Sequence, residues 1–190
     1  MIKKYRKTKE TEISVELEIC GSGNAEIDTG IGFFDHMLES FTKHSLIDLK
    51  LICKGDLNVD FHHSVEDCGI VLGSALREAI YPIKKIERFG DSVVVMDEAA
   101  FSCALDLSNR AFLVFEGPKV GKVGEFDIEL LEEFFRAVAF NAGITLHLIK
   151  LRGQNLHHLS EAAFKSFAVA LRRALSKNER AEIPSTKGIL

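Results

Sequence analysis

The sequence predicts an α+β fold built by internal duplication: two sheets, each with two helices on one face, related by a pseudo-twofold axis. Two observations predict it. Hydrophobic periodicities follow the order strand–strand–helix–strand–helix in both halves of the 190-residue chain. The halves also share sequence, because a His-His-x-x-Glu motif occurs at 62–66 and again at 157–161, and segment 46–55 aligns with 144–153 without a gap.

The duplication is expected to form one domain, 1–190, rather than two. No Pro-, Gly- or Ser-rich linker separates the halves, so they should share a core. Repeat one spans about 9–80 and repeat two about 91–177, and a C-terminal tail follows over 183–190.

Repeat one begins with an alternating strand. Between Glu12 and Ile19 every second residue is apolar, which is typical of a strand with one buried face. The turn over 21–24 leads into a short return strand that ends near Ile27, so we predict a β-hairpin. The remaining elements are a helix over 33–43, a strand over 46–53 and a helix that ends before Pro82.

Repeat two follows the same plan. Two strand-like segments, 92–96 and 111–116, come first, and a Gly-Pro turn ends the second. The remaining elements are a helix with apolar residues from Leu131 to Val138, a strand over 145–151 and a helix with apolar residues from Phe164 to Leu175.

The composition excludes several classes of protein. With 46% hydrophobic and 27% charged residues, the chain is globular rather than disordered. Its formal net charge of −4 gives no general basic surface for nucleic acid. No apolar run approaches the ~20 residues that span a bilayer, and the four cysteines form no Cys-x-x-Cys pair. We therefore expect a cytoplasmic protein with reduced thiols, no nucleic-acid partner and no membrane partner.

The repeated motif carries metal-binding chemistry at the predicted start of two helices. Within each copy the first His and the Glu are four residues apart on one helix face, so both can reach one metal ion. The second His is about 100° around the helix and points elsewhere. A single His-His pair is explained as well by a polar helix cap, but two copies in register are hard to attribute to chance. The residues concerned are His62, His63, Glu66, His157, His158 and Glu161.

Pseudo-symmetry indicates how two metal sites can form from these residues. Each His/Glu pair would take the second His of the other copy, and His36 and His147, which precede the motifs, would add one ligand to each site. Three imidazoles and one carboxylate suit Mn, Fe, Co, Ni or Zn rather than Ca or Mg. An octahedral ion would keep two positions open for substrate, which favours a catalytic site.

Basic and hydroxyl side chains form a second candidate site, for an anionic group. Lys165 is the strongest candidate, because it follows Glu161 by one turn on the same helix face. Guanidinium, ammonium and hydroxyl groups bind phosphate well, although each residue taken singly is typical of a solvated surface. The candidates are Arg88, Arg110, Lys165, Ser185, Thr186 and Lys187.

Beyond the two motifs, the chain carries three distinctive segments: GIGFFDHML at 30–38, DLSNR at 106–110 and NAGITLH at 141–147. With the motifs, they make the sequence resemble the imidazoleglycerol-phosphate dehydratases of histidine biosynthesis, over essentially the whole chain. Phe61, Ser40 and Asn109 depart from the usual pattern, and none is a predicted ligand. The resemblance implies a hydro-lyase in its monofunctional form, since the phosphatase domain that some relatives carry is absent.

The resemblance also implies ligands, substrate contacts and assembly. It implies two Mn²⁺ ions per active site and 24 subunits built from trimers, with active sites between subunits. Glu10 would contact the substrate and act at the reacting carbons, and Glu66 and Glu161 complete the candidate catalytic carboxylates. One ion would take His36, His63, His157 and Glu161, and the other His62, Glu66, His147 and His158. The substrate phosphate would contact Arg88, Arg110, Lys165, Ser185 and Lys187, with Thr186 in the same tail.

The implied reaction converts imidazoleglycerol phosphate to imidazole-acetol phosphate. The proton to be lost lies beside a hydroxyl rather than a carbonyl, so the imidazole ring is the only electron reservoir. Two metals on the ring nitrogens would stabilise an imidazolate that expels hydroxide. A carboxylate such as Glu10 would then remove the neighbouring proton, and the resulting enol would tautomerise to the ketone.

Two other functions remain open for the same ligands. One is a dimetal hydrolase or oxidase, although six of the eight ligands are His and strands interrupt any four-helix pattern. The other is a non-catalytic oligomer that metals hold together, which would leave Arg88, Arg110 and Lys165 without a function.

Overall fold

The protein is described here by a computed structural model covering residues 1–180 and 182–186, and its α+β fold confirms the predicted class. The first half contains β1 (Ile2–Lys7), β2 (Thr11–Glu18), β3 (Ala25–Asp28), α1 (Gly32–Ser45), β4 (Asp48–Gly55) and α2 (His62–Ile80). The second half contains β5 (Phe89–Met96), β6 (Ala99–Asp106), β7 (Phe112–Glu116), β8 (Lys122–Val123), β9 (Phe126–Asp127), α3 (Leu130–Ala142), β10 (Thr145–Arg152) and α4 (Leu156–Ala174).

The two four-stranded sheets have the same strand order, which demonstrates the duplication. The first sheet is ordered β1-β2-β4-β3 and the second β5-β6-β10-β7. In each sheet the last strand is parallel to its neighbour and the other pairs are antiparallel. The short β8–β9 hairpin has no counterpart in the first half.

The predicted hairpin is wrong, and so is the predicted count of strands. β3 does not pair with β2; it crosses to the far edge of the sheet and pairs in parallel with β4. Three strands precede the first helix of the first half and five precede that of the second, because β1, β6 and the short strands β8 and β9 were not predicted. β1 is a Lys- and Arg-rich edge strand and β6 is rich in small apolar residues, so neither shows a clear alternation.

The four helices lie between the sheets and form the shared core. α2 packs on α3 and α1 packs on α4, two contacts that the pseudo-twofold interchanges. Phenylalanine rings fill the space where the helices meet: Phe135 and Phe164 have centroids 4.9 Å apart, and Phe41 stacks on Phe167 at 5.4 Å. In the described part of the chain, no helix is long and apolar enough to cross a membrane.

The outer faces of the two sheets differ sharply in chemistry. Ion pairs cover the first, among them Lys3–Glu16 at 2.9 Å and Lys7–Glu12 at 2.8 Å. The second exposes large apolar side chains instead. Its exposed residues include Phe89, Val93, Val95 and Phe112, at 61%, 64%, 68% and 57% of their maximum area. Such a patch is typical of a surface that another protein covers.

Close packing of α2 on α3 depends on two glycines. A Cβ at Gly69 would lie 2.7 Å from the Ala137 Cβ, and one at Gly73 would lie 2.8 Å from the Val138 carbonyl oxygen. We expect Gly69→Ala to lower the free energy of unfolding by about 1–3 kcal/mol through overpacking, although alanine favours helix. Denaturant unfolding measures the change. Gly32→Ala is the control, because its Cβ meets nothing within 4 Å, and equal stability of the two variants would contradict the prediction.

Candidate active site

Both His-His-x-x-Glu motifs lie in the first turn of a helix, where the backbone N–H groups are capped. In α4 the Asn155 side chain accepts from the N–H groups of His157 and His158, at 2.9 and 3.2 Å. In α2 the Asp60 carboxylate accepts from the N–H of His62 at 2.8 Å. The caps fix where each helix begins and therefore which direction each motif side chain takes.

One group of potential metal donors forms within the described residues, 1–180 and 182–186. Donor atoms of His36, His157 and Glu161 all lie within 4.8 Å of one another. Glu161 is buried, and its Oε2 lies 3.6 Å from His157 Nε2. α1 supplies His36, and its neighbour Phe33 packs its ring against His157 at 5.3 Å. The structure thus gathers three of the four ligands predicted for one ion.

Lys165 holds the other oxygen of Glu161, with its Nζ 2.7 Å from Oε1. Burial alone would raise the pKa of Glu161, but the hydrogen bond and charge of Lys165 outweigh it and lower the pKa. Because the lysine occupies Oε1, Oε2 remains directed toward His157. The carboxylate is therefore ionised and has one oxygen free for a cation.

The fourth ligand predicted for that ion, His63, is held elsewhere. Its Nδ1 lies 3.0 Å from Asp56 Oδ2, and its Nε2 lies 3.8 Å from Glu10 Oε1. The hydrogen bond with Asp56 raises the pKa of His63. His63 is not part of the donor group formed by His36, His157 and Glu161.

The four ligands predicted for the other ion are also dispersed. His62 and Glu66 approach each other to 3.8 Å. His158 instead contacts Glu98, with 2.7 Å between Nδ1 and Oε2, and this bond lowers the pKa of Glu98 to about 2. His147 is exposed on the outer face of the second sheet, opposite Ala104 of β6. The sheet therefore lies between His147 and the helices.

Glu10 lies in the turn between β1 and β2, and a side chain of α2 anchors the residues on both sides of this turn. Thr8 Oγ1 accepts from the backbone N–H of Glu10 at 3.1 Å. The buried Asp67 accepts from Thr11 Oγ1 at 2.5 Å and pairs with Arg6 Nη2 at 3.0 Å. Asp67 thereby ties the turn that carries Glu10 to the helix that carries His62, His63 and Glu66.

The residues predicted to bind phosphate occupy two separate places. Arg88 donates to both oxygens of Asp106, at 2.7 and 3.0 Å, and to the Pro184 carbonyl at 2.7 Å. Arg110 is exposed, with its Nη2 3.8 Å from Asp106. The tail thus passes Arg88 just before Ser185 and the exposed Thr186, while Lys187 lies outside the described residues.

Lys165 lies toward the other end of β5 from Arg88. Along α4, Lys165 is nine residues from Ala174, whose carbonyl accepts from the backbone N–H of Arg88. The Lys165 ammonium pairs with Glu161, whereas the Arg88 guanidinium pairs with Asp106, so the two basic groups occupy separate places in the chain.

Comparison with known proteins gives the family. The model for "Imidazoleglycerol-phosphate dehydratase" matches residues 29–171, which is more than half of the chain. The chain belongs to the imidazoleglycerol-phosphate dehydratase family. The dehydratase of Campylobacter fetus is 68% identical over all of both chains, and that of Campylobacter curvus is 72% identical over all of this chain and 98% of its own.

Solved structures of the dehydratase family have the same fold. The imidazoleglycerol-phosphate dehydratase of Staphylococcus aureus is 41% identical, with a TM-score of 0.82 over 93% of this chain and 99% of its own. The enzyme of Pyrococcus furiosus, solved in complex with (S)-C348, is 38% identical, with a TM-score of 0.82 over 98% of this chain and all of its own.

Sequence reasoning missed three carboxylates around this dehydratase-family site: Asp56, Asp67 and Glu98. Each contacts a motif residue or the turn of Glu10. Asp56 and Glu98 lie in turns and are not repeat equivalents of each other, so spacing gave no signal for them. Asp67 gave a weak signal, because it is a charged residue that falls on the apolar face of α2.

We expect Asp67→Asn to lower the free energy of unfolding by about 2 kcal/mol, because it removes the charge from a buried carboxylate with two hydrogen-bond partners. Denaturant unfolding measures the loss. Glu16→Gln is the matched control, since it breaks the exposed pair with Lys3 and exposed pairs contribute little. Equal effects of the two substitutions would show that Asp67 does not anchor the turn.

Proposed function

We propose that the chain dehydrates imidazoleglycerol phosphate to imidazole-acetol phosphate, in histidine biosynthesis in the cytoplasm, as a Mn²⁺-dependent enzyme. Family membership supports the reaction. The observation that carries the metal dependence is the donor group of His36, His157 and Glu161. Two imidazoles and a carboxylate with a free oxygen fit a first-row transition ion.

The proposal assigns two ions to each active site, with the ligands divided as His36, His63, His157 and Glu161 for one and His62, Glu66, His147 and His158 for the other. When bound, such ions supply Lewis acidity that favours loss of a proton from the substrate's imidazole ring. Six of these eight ligands are imidazoles, which also bind Zn, Co and Ni, so the ligand set alone does not select Mn²⁺.

Residues of the chain itself carry the proton transfer and the positioning. Glu10, exposed at its turn and 3.8 Å from His63 Nε2, would remove the proton from the carbon that bears a hydroxyl. Lys165, Arg88 and Arg110, with the tail hydroxyls of Ser185 and Thr186 and the ammonium of Lys187, would hold the phosphate. Fixing the phosphate at a distance orients the reacting carbons toward Glu10.

The described residues of one chain leave such a site incomplete, which supports assembly. Three of four ligands meet for one ion, and Lys165 and Arg88 are paired with different carboxylates in separate places. His147 lies on the apolar outer face of the second sheet, which is the face suited to contact with another copy. We infer that active sites form between subunits, and the resemblance to the family sets the proposed number at 24.

The experiment that tests the function combines turnover with particle mass. Metal-stripped protein should produce little ketone from imidazoleglycerol phosphate, and Mn²⁺ should restore turnover while the particle grows to a large assembly. The same titration with Zn²⁺ and Mg²⁺ tests the ion. Metal uptake and assembly without turnover would contradict the proposal and favour the non-catalytic oligomer, and hydrolysis of the phosphate ester would favour the hydrolase.

Glu10→Gln tests the proton transfer. We expect metal content and particle mass to be unchanged and kcat to fall by at least about 10²-fold, the contribution of a general base. Elemental analysis, native mass spectrometry and ketone assay measure the three quantities. Glu16→Gln, in β2 and paired with Lys3, serves as control. Turnover of Glu10→Gln within a few-fold of the control would exclude Glu10 as the base.

A further inference from the structure

The second histidine of each motif has a carboxylate on Nδ1. His63 Nδ1 lies 3.0 and 3.2 Å from the two oxygens of Asp56. His158 Nδ1 lies 2.7 Å from Glu98 Oε2. Among the described residues, the carboxylate oxygen paired with Nε2 is 3.8 Å away in both histidines, on Glu10 for His63 and on Asp97 for His158, which is beyond hydrogen-bond distance.

These two carboxylates come from positions that the duplication does not relate. Asp56 directly follows β4, whose counterpart in the second half is β10. Glu98 lies in the β5–β6 turn, whose counterpart is the β1–β2 turn. Inheritance of one ancestral contact therefore does not explain the pairing, whereas a shared requirement on the two histidines does.

Glu98 is itself held by the two residues that precede α4, the helix that bears His158. Its Oε1 accepts from the backbone N–H groups of Gln154 and Asn155, at 3.3 and 2.9 Å. Asn155 in turn caps α4. The capping residue, the carboxylate and the imidazole are thus held in one arrangement, with Oε2 left for His158.

We propose that Asp56 and Glu98 are positioning residues that accept the Nδ1–H of His63 and His158 and so leave Nε2 of both rings unprotonated for a metal ion. The inference rests on the proposed function, because it assigns both histidines as ligands. A carboxylate on the far nitrogen fixes the tautomer, orients the ring and raises the basicity of the ligating nitrogen.

The test measures Mn²⁺ affinity of the full-length protein by competition with a chelating fluorophore. Glu98→Gln and Asp56→Asn should each weaken binding by about 10- to 100-fold, with melting temperatures of the metal-free proteins close to wild type. Glu98→Ala should weaken binding further than Glu98→Gln, because the amide oxygen still accepts the Nδ1–H. Glu125→Gln, an exposed carboxylate in the β8–β9 turn, is the charge-matched control.

Each outcome bears on a different claim. The inference is supported if Glu98→Gln and Asp56→Asn both bind Mn²⁺ more weakly than the Glu125→Gln control, and if Glu98→Ala binds it more weakly than Glu98→Gln. Variants that bind Mn²⁺ as tightly as Glu125→Gln overturn it and leave the proposed function standing. A wild-type protein that takes up no Mn²⁺ overturns the metal dependence itself, and the inference with it.

Discussion

The geometry of the α-helix governs how this chain can hold metal. Residues four apart share a face, so His157 and Glu161 meet at 3.6 Å. Residues one apart diverge by about 100°, so His63 and His158 turn away from their neighbours toward Asp56 and Glu98. Under the proposed assignment, a motif with adjacent histidines would therefore serve two different ions, and the donors for each would come from more than one helix start.

The duplicated fold repeats the motif at two helix starts, but it does not bring all the proposed ligands of either ion together. The pseudo-twofold places α2 and α4 in one helical layer, yet His147 lies on the outer face of the second sheet, and Lys165 and Arg88 pair with different carboxylates. The two outer faces then decide which surface is available for contact. The first sheet exposes charged, paired side chains that water solvates, whereas Phe89, Val93, Val95 and Phe112 on the second expose apolar area that association would bury.

Much of this organisation was predictable from sequence, and the failures have physical causes. Periodicity and the repeated motif predict the duplication, the helices and the His157–Glu161 pair. Strand partners were not predictable, because alternation shows that a strand has two faces and not which strand lies beside it; β3 therefore paired with β4 instead of β2. Glu98 and Asp56 were missed since their contacts arise from tertiary packing, with no fixed spacing from the histidines.

If active sites form between subunits, as proposed, mixing two inactive variants should restore activity. His157→Ala removes a ligand from the helical layer, and His147→Ala removes one from the outer sheet face. Each alone should be inactive. One of the two variants carries an isotope label, so that mixed particles differ in mass from both parents. After joint unfolding and reassembly with Mn²⁺, mixed particles should show substrate-saturable dehydration, because some sites draw both intact ligands from different chains. Mixed particles no more active than the parents would show that one chain supplies both ligands.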